Sequence, residues 1–468
     1  MSWVIGVKFV QKYCRYMKNM KKILLFTASC IFTVAIMQGQ VTNTSSMKFI
    51  TTYNDLAQAV QQGNNEIIIS ANITVNHGII LPEGTSIKGI AQDNGELPML
   101  LFPNSDGIGL TANNKVEFLK ILVPENRRAI YNTYSLPDLG KFTLKDLSVK
   151  GQISVITRIG VESARVELEN VDIFAADARH YLEQPQKYGV NVLQGALTIY
   201  NMNGDKSSLV NVYAKNITIG RKGLPVLGSG IFIAGGGDNG GRTNVELLET
   251  GAVYSTGAIP YGVADYITGG VFILNGAHAD KVLTQGELVT YGVNDMVTDV
   301  WGSVDTWVSN APITSYGPSG IGFVNFGTVK HYEVNAPVQT YGEGARGYNQ
   351  YDGTVGDIRF QSIETFGNGS VGVQISKPIG TMTVTGDIIT HGSVGNSLVK
   401  GVIVQLPAYA LSIKDGGVVD KIDVKGDIRT HGDNVTTYIV DKGGIVKNLS
   451  VGGKVEALGK GSKDKEGV

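Results

Sequence analysis

The sequence contains only two cysteines, Cys14 and Cys30, and both lie within its first 40 residues. A mature chain that begins after them has no thiol, which excludes disulfides, thiolate zinc sites and cysteine nucleophiles. Charged residues make up only 17% of the chain, the net charge is −1, and no basic cluster follows the first 40 residues. This balance predicts no nucleic-acid partner. No metal site is predicted either.

The N-terminal segment has the pattern of a secretory signal. Basic residues stand at Lys8, Lys12, Arg15, Lys18, Lys21 and Lys22 and precede an apolar run from Ile23 to Met37. We therefore predict a signal peptide over residues 1–40, and a mature product that is secreted, periplasmic or attached to the cell surface. Later segments lack the run of about 18 apolar residues that a membrane helix needs, so the mature chain is predicted to have no transmembrane segment.

A triplet of Thr or Ser, an aromatic residue or His, and Gly recurs along the chain. It occurs at Thr290-Tyr291-Gly292, Ser315-Tyr316-Gly317, Thr340-Tyr341-Gly342, Thr365-Phe366-Gly367, Thr390-His391-Gly392 and Thr430-His431-Gly432. The first five glycines are each 25 residues apart, and the last follows after 40. A related triplet, Ser255-Thr256-Gly257, stands 35 residues before the series. The two longer intervals indicate insertions.

A second glycine series runs in phase with the first, through Gly302, Gly327, Gly353, Gly380, Gly417 and Gly444. Short segments that alternate apolar and polar residues lie between the two series, as in Val304–Val308 and Ile422–Val424. A period of this length, made of short strands and at least two glycine corners, predicts the coils of a right-handed parallel β-helix. We expect equivalent residues to stack about 4.8 Å apart, with each corner glycine in a positive-φ bend. The predicted fold class is all-β.

The start of the predicted β-helix resembles a known architecture. Tyr53–Val60 has the pattern of a short amphipathic helix, and Leu81-Pro82-Glu83-Gly84-Thr85-Ser86-Ile87-Lys88-Gly89 and Asp106-Gly107-Ile108-Gly109-Leu110 follow it. These segments are similar to the opening of pectin-lyase-like β-helix proteins. The resemblance implies an N-terminal cap over residues 41–66 and a β-helix over 67–468. No catalytic motif of a branch of that superfamily is present, so the resemblance transfers no activity.

Three groups of residues are candidates for chemistry on such a fold. The first group lies before the triplets in the sequence and combines cations with a carboxylate: Arg127, Arg128, Asp177, Arg179 and His180. The insertions and the coils beside them supply Tyr261, Asp265, Tyr266, Asp295, Trp301, Arg346, Tyr348 and Tyr351. A polysaccharide lyase needs a cation and a base, and a glycoside hydrolase needs two carboxylates about 5 to 10 Å apart. The alternative for each residue is an ordinary solvated turn or a surface ion pair.

The aromatic column of the triplets is the third group, with Tyr316 and Tyr341 among the predicted substrate-binding residues. If the preceding Thr faces inward, strand alternation points these rings outward, where they suit sugar faces. The alternative is a ladder of stacked rings that stabilises the corner.

Two functions follow from these patterns. The first is a secreted carbohydrate-active enzyme, a lyase or a hydrolase, that cleaves an extracellular polysaccharide beside an insertion. The second is a non-catalytic surface adhesin or structural β-helix protein. The sequence requires no cofactor. It leaves open whether calcium assists and whether the chain forms a homo-oligomer.

Overall fold

A computed structural model of the protein describes residues 49–133, 136–399 and 401–468. Within these ranges one helix, α1 (Tyr53–Gln61), follows the first strand, and the remaining elements are strands. The first half of the strands are β1 (Phe49–Ile50), β2 (Glu66–Ile69), β3 (Ile73–Thr74), β4 (Ile79–Ile80), β5 (Ser86–Gly89), β6 (Met99–Leu101), β7 (Ile108–Leu110), β8 (Lys115–Leu122), β9 (Arg128–Asn132), β10 (Asp138–Lys150), β11 (Gln152–Thr157), β12 (Ser163–Ala175), β13 (Gln186–Lys187), β14 (Val190–Val192), β15 (Gly195–Asn201), β16 (Leu209–Ile219), β17 (Val226–Leu227), β18 (Ser229–Ala234), β19 (Arg242–Thr256), β20 (Tyr266–Ile273) and β21 (Ala277–Thr284). The second half are β22 (Leu288–Thr290), β23 (Asp295–Val300), β24 (Ser303–Ser309), β25 (Ile313–Ser315), β26 (Ile321–Asn325), β27 (Thr328–Thr340), β28 (Arg346–Gln350), β29 (Thr354–Thr365), β30 (Val371–Ile375), β31 (Ile379–Val384), β32 (Ile388–Thr390), β33 (Gly395–Val399), β34 (Val402–Leu406), β35 (Leu411–Ile413), β36 (Val418–Val424), β37 (Ile428–Thr430), β38 (Thr436–Val440), β39 (Ile445–Val446), β40 (Leu449–Val451), β41 (Val455–Ala457) and β42 (Lys463–Glu466).

The strands form a right-handed parallel β-helix, as the repeat predicted. In the described part of the chain, a larger sheet of 24 strands and a smaller sheet of 16 strands run along the coils. Across the described ranges the strands pair in parallel, apart from two antiparallel hairpins, β13–β14 and β33–β34. The smaller sheet contains β20, β23, β26, β28 and β30, which follow one another from coil to coil.

One regular coil contains three strands, which agrees with the prediction of at least two corners per turn. β23 belongs to the smaller sheet, and β24 and β25 belong to the larger one. The register repeats at the sequence period, because Thr298 pairs with Phe323, Phe323 with Tyr348, and Tyr348 with Val373. These residues are 25 apart in the sequence. The period is therefore one turn of the β-helix.

The Thr and Ser residues of the triplets face the interior, as expected. Thr290, Ser315, Thr340, Thr365, Thr390 and Thr430 are all fully buried. They lie beside columns of aliphatic residues that form one continuous core, and one such column contains Leu288, Ile313 and Val338. Stacked equivalent positions thus bury the same kind of side chain in each coil.

The corner glycines differ from the expectation. None of the six triplet glycines named above has a positive φ. Five of them are needed because the triplet glycine of the preceding coil lies too close for a side chain: a Cβ at Gly317 would collide with the carbonyl oxygen of Gly292, and one at Gly342 with that of Gly317. At Gly292 a Cβ would instead collide with the side chains of Asp295 and Thr256. The positive φ comes two residues later, at Asn294 (56°), Ser319 (57°), Gly344 (67°), Gly369 (69°) and Asn434 (56°). The prediction of a positive φ at the corner glycines was therefore wrong for the triplet series, and in the second series it holds for Gly353 (63°) alone of the six glycines named.

Helix α1 matches the predicted amphipathic segment. Thr52 caps it by accepting a hydrogen bond from the amide of Asp55 at 3.2 Å. Leu56 and Ala59 are buried in the main core. The predicted leader and the domain boundary at residue 41 lie outside the described ranges and stay predictions. The role of the helix as a cap also stays a prediction. Among the described residues no helix is long and apolar enough to span a membrane.

Three irregular segments interrupt the coils next to the smaller sheet. The first contains the β13–β14 hairpin, the second covers residues 257–265, and the third contains the β33–β34 hairpin. β14 adds to the smaller sheet by pairing Asn191 and Val192 with Tyr266 and Ile267 of β20. The second and third segments coincide with the insertions that the interrupted repeat predicted.

Candidate functional site

The smaller sheet carries a pocket on its outer side, which we call the outer-face pocket. Its floor consists of three columns in which residues recur at the coil period. The columns are Met296, Ile321 and Arg346; Asp299, Val324, Asn349 and Gln374; and Trp301, Phe326 and Tyr351. A second apolar cluster, separate from the main core, continues from Trp301 under the first hairpin.

The irregular segments form the walls of the outer-face pocket. Tyr188 and Val190 come from the first segment, Ala264 from the second, and Leu398 and Val399 from the third. The cavity measures about 130 Å³. That space holds several water molecules, or one polar group of a ligand together with part of the ring that carries it. Longer turns thus create a recess on an otherwise regular wall.

Asp299 lies in the floor of this pocket and is fully buried. Neither of its carboxyl oxygens has a hydrogen-bond partner with normal geometry. Burial raises the pKa of Asp299 well above its usual value, and the nearby N–H groups of Trp301 and Val300 lower it only in part. A carboxyl in such a place keeps its proton at higher pH than a solvated one and can exchange it with a ligand.

Arg346 lies at another part of the floor and is 4% exposed. Its Nη1 donates to the carbonyl oxygen of Gly344 at 3.3 Å, and its Nη2 donates to Ser397 Oγ at 3.2 Å. Its Nε has no partner. Burial lowers the pKa of Arg346 to about 10, so the guanidinium stays charged at neutral pH.

Aromatic rings line one side of the pocket. Tyr188 stacks on Phe326 with ring centroids 4.5 Å apart and meets Trp301 edge-on at 5.3 Å. Phe326 contacts Tyr351 at 4.7 Å. Burial raises the pKa of both tyrosines, so they are neutral hydrogen-bond donors at physiological pH. Rings with a polar tip at the rim suit the apolar faces and hydroxyls of a sugar.

Comparison with known proteins identifies no relative. No family model, curated protein or solved structure matches this chain. The similarity to pectin-lyase-like proteins therefore rests on the coil pattern and the helix alone.

The outer-face pocket contains three of the residues that the sequence singled out: Trp301, Arg346 and Tyr351. Four others lie in a separate open recess beside the first and second irregular segments: Asp177, Arg179, His180 and Tyr266. There, the Arg179 guanidinium binds the Asp177 carboxylate through Nε at 2.9 Å and Nη2 at 2.8 Å. Burial alone would raise the pKa of Asp177, but the bonds from Arg179 outweigh burial and hold this pKa below its usual value. The pair neutralises itself, as the alternative interpretation of a surface ion pair proposed.

The remaining early cations and the residues of the second insertion do not converge on either cavity. Arg128 donates to the Asp106 carboxylate at 2.8 Å and lies over the ring of Tyr131, while Arg127 is exposed. Tyr261 and Asp265 are exposed on the second irregular segment. The structure thus divides the predicted catalytic group among several places.

Two predicted substrate-binding residues lie inside the protein. Tyr348 is fully buried in the main core, and its hydroxyl donates to Gln350 at 2.8 Å. Asp295 is fully buried at a corner, where it accepts hydrogen bonds from the amides of Gly257 and Gly292 and from the hydroxyl of Thr268. The interior position of both side chains separates them from a ligand on the outer surface.

The aromatic column forms a ladder, in agreement with the structural alternative. The rings of Tyr291, Tyr316, Tyr341, Phe366, His391 and His431 stack in sequence, with neighbouring centroids 4.6 to 5.4 Å apart. Tyr316 and Tyr341 expose 47% and 39% of their surface. Their ring faces are covered by their neighbours, so mainly edges and hydroxyls reach the solvent. A sugar cannot stack on an inner ring without opening the ladder.

A histidine and two aspartates from adjacent coils meet on the larger sheet. Oxygen and nitrogen atoms of His278, Asp280 and Asp305 lie within 4.8 Å of one another. His278 Nε2 is 3.0 Å from Asp280, and Asp305 already binds the Lys330 ammonium at 2.8 Å. The arrangement is that of a surface ion-pair network.

The sequence analysis did not select Asp299, Tyr188, Phe326, Asn349 or Gln374 as site residues. A signal for most of them was present, because positions 299, 324, 349 and 374 and positions 301, 326 and 351 follow the period of 25. Tyr188 carried no such signal, since it reaches the pocket from an irregular hairpin.

Proposed function

We propose that this protein is exported, belongs to the pectin-lyase-like group of β-helix proteins, and binds and cleaves an extracellular polysaccharide in its outer-face pocket. The observation that carries the proposal is that Asp299 and Arg346 both line this pocket. Each side chain is buried, and neither forms an ion pair within the described residues. Such groups cost stability, and active sites are where proteins commonly retain them.

The pocket offers the parts that glycan cleavage needs. The rings of Tyr188, Trp301 and Tyr351 provide contact area for sugar faces and edges. Asp299 serves as the group that gives or takes a proton, because burial raises its pKa well above that of a solvated carboxyl. Arg346 stabilises negative charge on the substrate.

The number of carboxyl groups favours a lyase over a hydrolase. Hydrolysis of a glycosidic bond uses two carboxyl groups, and Asp299 is the single one that lines the outer-face pocket within the described residues. A lyase uses one cation and one base instead. The pocket contains this smaller set.

The alternative function is a surface adhesin. The observation that favours it is the ladder from Tyr291 to His431, which continues along six coils and exposes the edges of Tyr316 and Tyr341. A repeated surface of this kind suits a protein that binds along its length rather than in one pocket.

The test is a screen of the purified protein, without its predicted leader, against acidic and neutral polysaccharides with and without calcium. Ultraviolet absorbance reports the unsaturated ends that a lyase creates, and a reducing-end assay reports both lyase and hydrolase products. Asp299→Asn is the active-site variant, and Asp420→Asn on the larger sheet, where the carboxyl is exposed and paired with Lys447, is the matched control. We expect Asp299→Asn to lower activity by about 100-fold or more and Asp420→Asn to leave it unchanged. Binding without cleavage that survives Asp299→Asn would support the adhesin.

A further inference from the structure

The outer strand of the β33–β34 hairpin has a free edge. β33 and β34 form a sheet of two strands, and β34 pairs with no other strand of the described chain. The amide of Asn396 in β33 donates to the Glu343 carboxylate at 2.9 Å. The amide of Leu398 in β33 donates to Ser319 Oγ at 3.3 Å. Both acceptors belong to corners of the coils, so β33 is the inner strand of the hairpin and β34 is the outer one.

The hydrogen-bond pattern of the hairpin determines which backbone groups of β34 face outward. Asn396 pairs with Gln405, and Leu398 pairs with Ile403. In an antiparallel ladder, directly opposite residues either bond to each other or both point their backbone groups away from each other. Because the amides of β33 at these positions point to the coils, the N–H and C=O groups of Ile403 and Gln405 point to the free edge. No described residue bonds to them there.

The side chains of β34 lack the features that usually protect a free edge. Val402–Leu406 contains no charged residue, no proline and no glycine. Val402 and Ile403 expose 60% and 45% of their surface. Proteins commonly place charges, proline or a bulge on an edge strand, because an uncovered apolar strand attracts another strand. β42, which pairs with β38 alone, is protected in this way, since Lys463–Glu466 consists of four exposed charged residues.

We propose that β34 pairs with β34 of a second copy of this chain, antiparallel and about a two-fold axis at Val404. This register places Ile403 opposite Gln405 of the other copy, so each of these residues exchanges both of its outward backbone hydrogen bonds across the axis. Val404 then lies opposite its own equivalent, and Val402 lies opposite Leu406. A two-fold contact requires a surface that is its own complement. β34 meets this requirement, because apolar side chains oppose apolar ones and no like charges face each other.

The dimer contact and the outer-face pocket use different sides of the same hairpin. The pocket wall uses Leu398 and Val399 of the inner strand together with Gly401. The contact uses the opposite edge, on the outer strand. The dimer is therefore compatible with the proposed function and does not depend on it.

Cysteine trapping tests the register of the contact. The chain has cysteines only at Cys14 and Cys30, so a protein without its predicted leader has none. In Val404→Cys the two introduced thiols face each other across the axis, with Cα atoms about 4.5 Å apart, a separation that a disulfide can bridge. In the control Val402→Cys the Cα atoms lie about 14 Å apart, beyond the reach of a disulfide. We expect mild oxidation to give a covalent dimer with Val404→Cys and none with Val402→Cys. Equal yields from the two variants would contradict the register.

Sedimentation velocity at increasing protein concentration tests whether the dimer forms. Ile403→Pro removes an outward N–H group and leaves the bonds between β33 and β34 intact, and Ile403→Thr is the matched control that keeps this N–H group. We expect the wild-type protein and Ile403→Thr to dimerise, and Ile403→Pro to dimerise at least about tenfold more weakly. Thermal unfolding checks that each variant is folded, and the cysteine pair decides if Ile403→Pro is not. A wild-type protein that stays a monomer at every concentration, or a folded Ile403→Pro that dimerises as well as the wild type, overturns the proposal.

Discussion

Asp295 and Asp299 stand four residues apart on strand β23, are both fully buried, and have opposite hydrogen-bond environments. Asp295 accepts bonds from two backbone amides and one hydroxyl, whereas neither oxygen of Asp299 has a partner with normal geometry. The first carboxyl has the contacts of a structural corner residue, and the second lacks them.

This contrast predicts opposite effects of one chemical change. Asp295→Asn turns one carboxyl oxygen into an N–H group that faces the amide donors of Gly257 and Gly292, so we expect the free energy of unfolding to fall by about 2 kcal/mol. Asp299→Asn loses no hydrogen bond of normal geometry and should leave the free energy of unfolding unchanged or slightly raised. Urea denaturation of both variants and the wild-type protein measures the difference. Equal destabilisation by the two substitutions would contradict the assigned roles.

The same two carboxyls predict how stability depends on pH. Burial raises the pKa of Asp295 from 3.8 to about 6 and that of Asp299 well above 3.8. A raised pKa in the folded state means that the folded protein binds the proton more tightly, so this stabilisation is complete below about pH 4 and is lost as the pH rises through the folded-state pKa. For Asp295 the loss is on the order of 3 kcal/mol.

Asp299→Asn removes one of these contributions, so the variant should gain stability relative to the wild-type protein as the pH is raised from 4 to 7. Denaturation curves at several pH values test this difference, in which the other titrating groups cancel. A difference that is constant with pH would show that Asp299 titrates like a solvated carboxyl.

Arg346 predicts a trade between stability and binding. Arg346→Met removes a buried cation that has no counter-ion and keeps a side chain of similar length, while Ser397 retains its bond to Gly344. We expect thermal unfolding to shift upward, with a gain of about 1 kcal/mol, and binding of acidic oligosaccharides to be lost. A large loss of stability instead would mean that Arg346 is a structural residue.

The ladder predicts an effect on stability alone. Tyr316 lies between Tyr291 at 5.4 Å and Tyr341 at 5.0 Å, so Tyr316→Ala removes two stacking contacts and should cost about 1 to 2 kcal/mol. Glycan binding in the outer-face pocket should be unchanged. Loss of glycan binding without loss of stability would move the binding surface to the ladder and favour the adhesin.

The close approach at the corners predicts a strong position dependence for glycine substitutions. A Cβ at Gly317 collides with the backbone of the preceding coil, and Gly204 has open space around it and no positive φ. We expect Gly317→Ala to lower the free energy of unfolding by about 2 kcal/mol or more and Gly204→Ala to have little effect. Thermal denaturation distinguishes the two.

Much of the fold was predictable because stacked coils place similar residues at equivalent positions, and these residues recur in the sequence at the coil period. The period of 25 predicted the coil, the inward Thr column and the contact between successive rings. It did not predict the conformation of the corner glycines, since a close backbone approach and a positive φ both select glycine and leave the same residue type in the sequence.

The site was less predictable because a local irregularity changes which side chains face outward. Arg346 lines the outer-face pocket, yet Tyr348, two residues later, is in the core. Simple alternation would place both on one side. Gly347 stands between them, where a Cβ would collide with the Ile363 side chain and with the carbonyl oxygen of Gly372. The pocket also needs Tyr188 and Leu398 from two hairpins that meet over the sheet, which no spacing in the sequence reveals.

The most direct test of the central claim is hydrogen–deuterium exchange of the protein with and without a bound oligosaccharide from the screen. If the glycan binds in the outer-face pocket, exchange should slow in residues 188–190, 324–326, 346–351 and 397–399, which surround that pocket. The ladder corners at 316–317 and 341–342 and the recess at 177–182 should exchange at the same rate in both states. Protection confined to the ladder or to that recess would contradict the assignment of the outer-face pocket as the glycan site.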